Sequence, residues 1–332
     1  MKKKWMALLL TTIMVMPVLT ACGSATAKAT TEATAAGAKT YKVAMICDST
    51  ISDGGWGAAC YNAMVAAAKD NGFETQYTDG IASADFASSM RSYADLGFDL
   101  IFAPGNQYTD AVKEVAADYP DVDFALLNGT VETANIASIL PDAKQIGYMA
   151  GALAGLMTKT NSIGFIGGME LDTTKAKLAA YEAGAKAMNP DVTVNSAYAG
   201  SFSDTAKGKE IAASMISIND VDVMFGDASA VDSGAREVLA TYKDKFDIGQ
   251  PSDLLALQKS DVVVCSVVTD NATMLGLCMK DVKGGTFGNK TVYGDLANGA
   301  LSVGTFSSAV TDDVKTQYLA AVEKIKAGTF IQ

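Results

Sequence analysis

The sequence predicts an α/β protein built as two doubly wound, Rossmann-like lobes. Three observations carry that reading. From Tyr41 onward, short apolar runs alternate with helical stretches. Runs such as YKVAMICD, DLIFAPG and VDFALLNG are apolar almost without a break, the pattern of parallel strands covered on both faces. The same strand–helix grammar then restarts at Ser162, giving two series of similar size. A chain of 332 residues has room for two units of about 150 residues each.

Taken in order, the first series reads YKVAMICD as a strand, Trp56 to Asn71 as a helix, FETQYTD as a strand and Ser83 to Leu96 as a helix. DLIFAPG, a helix from Tyr108 to Tyr119, and VDFALLNG follow. ANIASIL leads into a helix from Lys144 to Lys159 lined with Ala and Gly. The second series runs SIGFIGG, a helix to Met188, TVNSAYAG, a helix after Asp204, DVMFGDA, a helix to Tyr242, then VVVCSVV and a helix from Thr273. A helix after nearly every strand implies right-handed βαβ units. The expected lobes are 41–140 plus 262–294 and 141–261 plus 295–332. Hinge crossovers are expected near Leu140 to Gln145, Ser260 to Val262 and Tyr293 to Ala297. Such a shape puts ligands where loops at the strands' C-terminal ends converge. Rossmann-type enzymes show the same alternation, so function must be argued from residues.

Residues 1–22 read as an export signal. Lys2, Lys3 and Lys4 precede an apolar run from Trp5 to Leu19 that is too short to span a bilayer comfortably. Leu19-Thr20-Ala21-Cys22 resembles a bacterial lipobox, in which the Cys carries the lipid; an ordinary secretory signal is the alternative. Residues 23–40, rich in Ala, Thr and Gly and free of aromatic residues, read as a flexible tether. The expected location is the extracytoplasmic face of the cell membrane, through an N-terminal lipid.

The formal charge is −11. Without the lysines at 2–4, 23 of the 26 basic residues remain against 37 acidic ones, a net −14. That balance argues against nucleic acid and anionic membrane surfaces as electrostatic partners. The chain has no histidine, so the usual general base and commonest metal ligand are missing. No GxGxxG follows the first strand and no GxxxxGK[ST] occurs; Gly54-Gly55 and Gly167-Gly168 are isolated pairs. No cofactor or metal is implied. Cys47 and Cys60, like Cys265 and Cys278, are 13 residues apart, a spacing that would suit a strand–helix disulfide in each pair. Apolar neighbours around all four favour buried small hydrophobes instead.

Candidate ligand contacts lie at strand ends. Ser196 to Glu210 runs from a strand through a Gly-Ser-Phe-Ser-Asp turn into an amphipathic helix, with Ser203 or Asp204 as its cap. That carries Phe202 to the tip of a strand-to-helix loop, although an isolated Phe is also an ordinary core residue. Asp48 closes the first strand, either as a ligand acceptor or as a turn former. Trp56, one of two tryptophans, is a stacking platform or a core anchor at a helix start. Asn106 and Tyr108 follow the third strand, Asn128 the fourth and Asp227 the strand at 221–225, while Thr269 and Asp270 end the strand begun at Val262.

The segments VAMICD with DGGW, TDAVKEVAADYPDVDFALLNG, NIASI with GYMAGALAGLMTKT, SIGFIGGME, AGSFSDTAKGKEIA and SVV together resemble the basic membrane protein family, the lipoprotein nucleoside-binding proteins of ABC importers. The resemblance covers essentially the whole mature chain. It implies a type I periplasmic-binding-protein fold, an ABC permease as partner, and a purine nucleoside clamped between two rings, here Trp56 and Phe202. Asp48 matches the family's aspartate. Three departures stand out. The family's SVVK lysine is Thr269, its GVDSD segment reads Gly249-Gln250-Pro251-Ser252-Asp253, and the asparagine after the first aromatic is Gly57. The expected ligand therefore keeps a planar, purine-like ring while sugar recognition differs. Two other classes fit the same residues. One is a secreted enzyme on nucleosides or sugars using Asp48 and Asp227 as acid and base. The other is a tethered ligand sensor uncoupled from transport.

Overall fold

The computed structural model describes residues 39–52, 56–258 and 260–330. The expected export signal with Cys22, residues 23–38 of the expected tether, and Asp53, Gly54 and Gly55 lie outside the described residues. The first series forms β1 (Tyr41–Ile46), α1 (Trp56–Asn71), β2 (Phe73–Thr78), α2 (Phe86–Asp95), β3 (Leu100–Ala103), α3 (Thr109–Asp118), β4 (Asp123–Leu127) and β5 (Ile136–Pro141). Next come α4 (Ala143–Met157), β6 (Ser162–Gly167), α5 (Asp172–Met188), β7 (Thr193–Tyr198), α6 (Thr205–Asn219), β8 (Val223–Asp227), α7 (Ala230–Leu239) and β9 (Phe246–Gly249). The chain ends with β10 (Val263–Thr269), α8 (Asn271–Gly284), β11 (Lys290–Gly294), β12 (Leu301–Val303) and α9 (Asp312–Lys326).

These elements build two doubly wound sheets, ordered β11-β5-β4-β3-β1-β2 and β12-β10-β9-β8-β6-β7. Every strand pairing is parallel except β10 with β12. The apolar runs are continuous because each sheet is covered twice. In the first lobe α1 and α8 cover one face over Val43, Met45, Leu100 and Met274, while α2 and α3 cover the other over Ile46, Met90 and Phe124. In the second, α4, α5 and α9 enclose Phe165, Tyr181, Phe225 and Tyr318, and α6 with α7 closes the opposite face over Met215, Met224 and Leu239.

The Ala/Gly line of α4 has a packing purpose. A Cβ at Gly147 or Gly151 would collide with the backbone carbonyl of Lys177 or Tyr181, so the glycines let α5 lie directly against α4. That approach sets the height of the first turns of α5 over the site described below.

Three crossovers join the lobes. Asp142 caps α4 between β5 and α4, accepting hydrogen bonds from the Lys144 and Gln145 amides. Asp270 caps α8 between β10 and α8. Residues 295–300 link β11 to β12. The crossovers brace one another: Asp142 N donates to Gly294 O, Asp270 N to Ala300 O, and Leu296 N to Gln145 Oε1. The middle crossover differs from the expected one at 260–262. β10 hydrogen-bonds to β9 and β12 in the second sheet, so the chain changes lobe after Thr269, and 262–269 sit in the second lobe. An apolar strand pattern records burial on both faces and not which sheet supplies the neighbours. FDIG and KTVYG also form strands, β9 and β11, that are too short and polar to stand out by pattern.

All four cysteines of the described residues are free and buried. Burial, with the Cys47 thiol beside it, pushes Cys60 up to about 12, and burial pushes Cys265 up to about 12 as well. They are small hydrophobes at neutral pH. Cys265 lies on β10 and Cys278 on α8, elements of different lobes, which disposes of the second strand–helix pairing.

Candidate functional site

The C-terminal ends of the parallel strands face one another across a cleft. It has two adjoining chambers, of about 870 and about 520 Å³, that share Trp56, Asn128, Pro141, Lys177, Phe202 and Asp227. Both volumes fall in the range of small-molecule sites.

Trp56 opens α1 from the first lobe, and its indole N–H donates to the Pro104 carbonyl at 2.7 Å, which fixes the ring while leaving it 42% exposed. Phe202 comes from the second lobe and is also 42% exposed. Its loop is tied down by Ser201 N to Gly168 O at 3.1 Å and Ala230 N to Phe202 O at 3.0 Å, and Asp204 caps α6 through the Lys207 amide. The ring lies against Gly168, where any Cβ would strike its edge. The Gly167-Gly168 pair is thus a seat for an aromatic ring. Both rings border both chambers, so a ligand lodged there would cover them.

Asp227 ends β8 and is held by three side chains. Lys177 Nζ lies 2.6 Å from its Oδ1, Gln250 Nε2 donates to the same oxygen at 3.2 Å, and Thr174 Oγ1 donates to Oδ2 at 2.9 Å. Lys177 also reaches Gln250 Oε1 at 3.4 Å. Asn128 follows β4 with φ 57°, a left-handed conformation that Asn tolerates, and borders both chambers. Asn106 lines the smaller chamber, and Thr269 and Asp270 the larger. The Asp270 carboxylate is taken up by the Ala272 amide and the Thr273 hydroxyl, and Thr269 N donates to Pro251 O at 2.7 Å.

Asp48 and Tyr108 border neither chamber. Tyr108 is fully buried against Phe86, and its hydroxyl accepts from Asp48 N at 2.7 Å and donates to Asp48 Oδ1 at 3.0 Å. Burial raises the Tyr108 pKa, so the phenol stays protonated and remains a donor. Gln107 Nε2 donates to the other Asp48 oxygen at 3.1 Å. This pair shapes the loop after β1.

Sequence reasoning missed Lys177, Gln250, Asp232 and Arg236, all of which line the larger chamber. The signal available for Lys177 was its spacing: with Thr174 it occupies i and i+3 on a helix that begins just beyond a strand end. Asp232 and Arg236 are likewise i and i+4 on α7. The Ala228 amide donates to Asp232 Oδ2 at 2.9 Å, and Oδ1 is buried without a partner. Burial pushes this carboxyl up to about 7. Arg236 Nε donates to the buried Asp247 at 2.6 Å.

Residues 40–331 match the family of PnrA-like ABC transporter substrate-binding proteins, Bmp. The chain belongs to that family. It is 29% identical over 307 residues to the ABC transporter nucleoside-binding protein BmpA of Lactococcus lactis subsp. cremoris, a match covering 86% of each chain. In structure it is similar to a transcriptional activator of the comK gene from Bacillus halodurans, with a TM-score of 0.75, 24% identity and coverage of 86% of this chain and 97% of that one. A solute-binding protein of an ABC transporter system from Conexibacter woesei gives a TM-score of 0.68 at 22% identity, covering 88% and 100%. The Bmp chain has the type I periplasmic-binding-protein fold, and its family consists of substrate-binding proteins of ABC transporters, not enzymes. An acid–base role for Asp48 and Asp227 in a secreted enzyme therefore falls away. No helix among the described residues is long and apolar enough to cross a membrane.

Proposed function

We propose that this Bmp protein is a lipid-anchored extracytoplasmic receptor that captures a nucleoside or related planar solute between its lobes and presents it to an ABC permease. The observation that carries the reading is the pair of half-exposed rings, Trp56 from one lobe and Phe202 from the other, at the junction of both chambers. A planar ring inserted between them would cover both and bridge the lobes, which favours the closed state over the open one. Asn128, Asp227, Lys177 and Thr269 would meet the ligand's polar groups; Asp48 and Tyr108 support the cleft from behind. Asp142, Asp270 and the 295–300 segment, cross-braced at the lobe junction, are the proposed hinge. Cys22 would carry the lipid. Similarity to a transcriptional activator gives weight to a second reading, an occupancy sensor on the same cleft.

The test is mass spectrometry of ligand retained through native purification, paired with isothermal titration of nucleosides, free bases and sugars. Retention or tight binding of a planar nucleoside-like solute is expected, with more compact X-ray scattering when it is bound. Binding of a non-aromatic sugar in preference to every planar compound would overturn the stacking reading. Membrane release of a Cys22→Ala variant tests the anchor.

A further inference from the structure

We infer that Asn298 is a positioning residue that fastens the hinge in its open setting and so tunes ligand affinity from outside the cleft. The inference rests on reading the cleft as a ligand site between moving lobes. Two of the crossovers are one residue long, Asp142 between β5 and α4 and Asp270 between β10 and α8. Each aspartate caps the helix it enters, so its carboxylate travels with that helix. A change in lobe angle is then absorbed at the aspartate's own backbone. Each aspartate also gives its amide hydrogen to one end of the third crossover: Asp142 N donates to Gly294 O and Asp270 N to Ala300 O, both at 2.8 Å.

One side chain holds the span between those two ends. Asn298 Nδ2 donates to Tyr293 O at 2.7 Å, beside Gly294, and Asn298 Oδ1 accepts from Ala300 N at 3.1 Å. The same oxygen accepts from Asp295 N at 3.0 Å, and Asn298 N donates to Asp295 Oδ1 at 2.8 Å. The ends it ties lead to different lobes, β11 in the first sheet and β12 in the second. Asn298 thus fixes the separation of the two carbonyls that receive the pivot amides. It is exposed and borders neither chamber, whereas Asp270 lines the larger chamber and Pro141, next to Asp142, lines both. A ligand and Asn298 therefore bear on the same pivots. In the arrangement these bonds hold, Trp56 and Phe202 are each 42% exposed, so the brace belongs to the open form. Weakening it lowers the cost of closing, and where the open form dominates, apparent affinity rises with the closed population.

The experiment compares the full chain with its Asn298→Ala and Asn298→Asp variants by amide-resolved hydrogen exchange, X-ray scattering without ligand, and isothermal titration with guanosine, adenosine, inosine, uridine and their free bases. In Asn298→Ala the Asp142 and Asp270 amides are expected to exchange about fivefold faster, the ligand-free particle to become more compact, and any nucleoside that binds to bind about fivefold tighter with the order of preference unchanged. Asn298→Asp keeps the acceptor for Ala300 N and loses the donor to Tyr293 O, so it should free the Asp142 amide and spare that of Asp270. Unchanged exchange at both amides in Asn298→Ala overturns the inference. So does unchanged or weaker binding with a lowered melting temperature, which would make Asn298 a merely structural turn residue. If no nucleoside or base binds, the cleft reading fails on its own, and exchange and scattering still judge the brace: a ligand-free variant no more compact than wild type sinks it.

Discussion

Asp232 yields a stability prediction that can be worked through from its surroundings. Its carboxyl takes one hydrogen bond, from Ala228 N, and leaves Oδ1 buried and bare. Burial is the main cause that lifts it from 3.8 to about 7; Asp247 on β9 and Asp227 on β8 add to the rise, while the Ala228 amide and Arg236 oppose it. The folded protein therefore holds a proton that the unfolded chain releases between these values. A raised carboxyl favours the folded state fully below 3.8, and that contribution is gone once the pH has risen through about 7. At about 1.4 kcal/mol per pH unit the window corresponds to roughly 4 kcal/mol. The perturbation is Asp232→Asn, which cannot titrate and keeps an acceptor for the Ala228 amide. Any cost of its unpartnered amide is the same at every pH. Urea denaturation of both proteins across this window should show the variant gaining on wild type by up to about 4 kcal/mol as pH rises, with no further gain above about pH 8. A difference that stays flat across the window would refute the reasoning, because Asp232 would then titrate alike in both states.

Other expectations follow from packing and from the cleft. Gly151→Ala sets a methyl against the Tyr181 carbonyl, a backbone atom that cannot step aside, and should cost about 1–3 kcal/mol in urea denaturation; unchanged stability would mean that α4 and α5 separate freely. Trp56→Ala and Phe202→Ala should each weaken a planar ligand by about 1–3 kcal/mol in isothermal titration, since each removes one stacking face. Lys177→Met leaves the Asp227 carboxylate without its cation at 19% exposure and should lower the melting temperature; adding Asp227→Asn should recover part of that loss. Tyr108→Phe removes the hydroxyl that binds Asp48 twice and should cost about 1–3 kcal/mol, read by thermal denaturation.

Much of the cleft was legible in advance because strand ends are marked locally. The apolar runs in YKVAMICD, VDFALLNG and DVMFGDA break at Asp48, Asn128 and Asp227, and the last two border the cleft. Phe202 followed from the turn that carries it. Tyr108 illustrates the opposite case: it too follows a strand, but the short helical turn at Asn106–Tyr108 swings its ring into the core against Phe86. Strand-end position says that a side chain is near the cleft and leaves its direction open. Arg236 and Asp247 were illegible because neither means anything alone; a charged residue inside the short strand FDIG reads as a reason to discount the strand until its partner on α7 is seen.

The sequence by itself determined the class of fold, the two-series organisation and the family, since each is recorded in the period and composition of contiguous residues. Alternation of buried strands and amphipathic helices is local physics, repeated every few turns of chain. Only the tertiary structure decided which sheet claims β10, and that Lys177 meets Asp227 from 50 residues away. It alone also joined Arg236 to Asp247 at the edge of the larger chamber. Strand partnership and side-chain meetings at such separations depend on how the chain winds between two sheets. A hydrophobic pattern records that a residue is covered, and not by what.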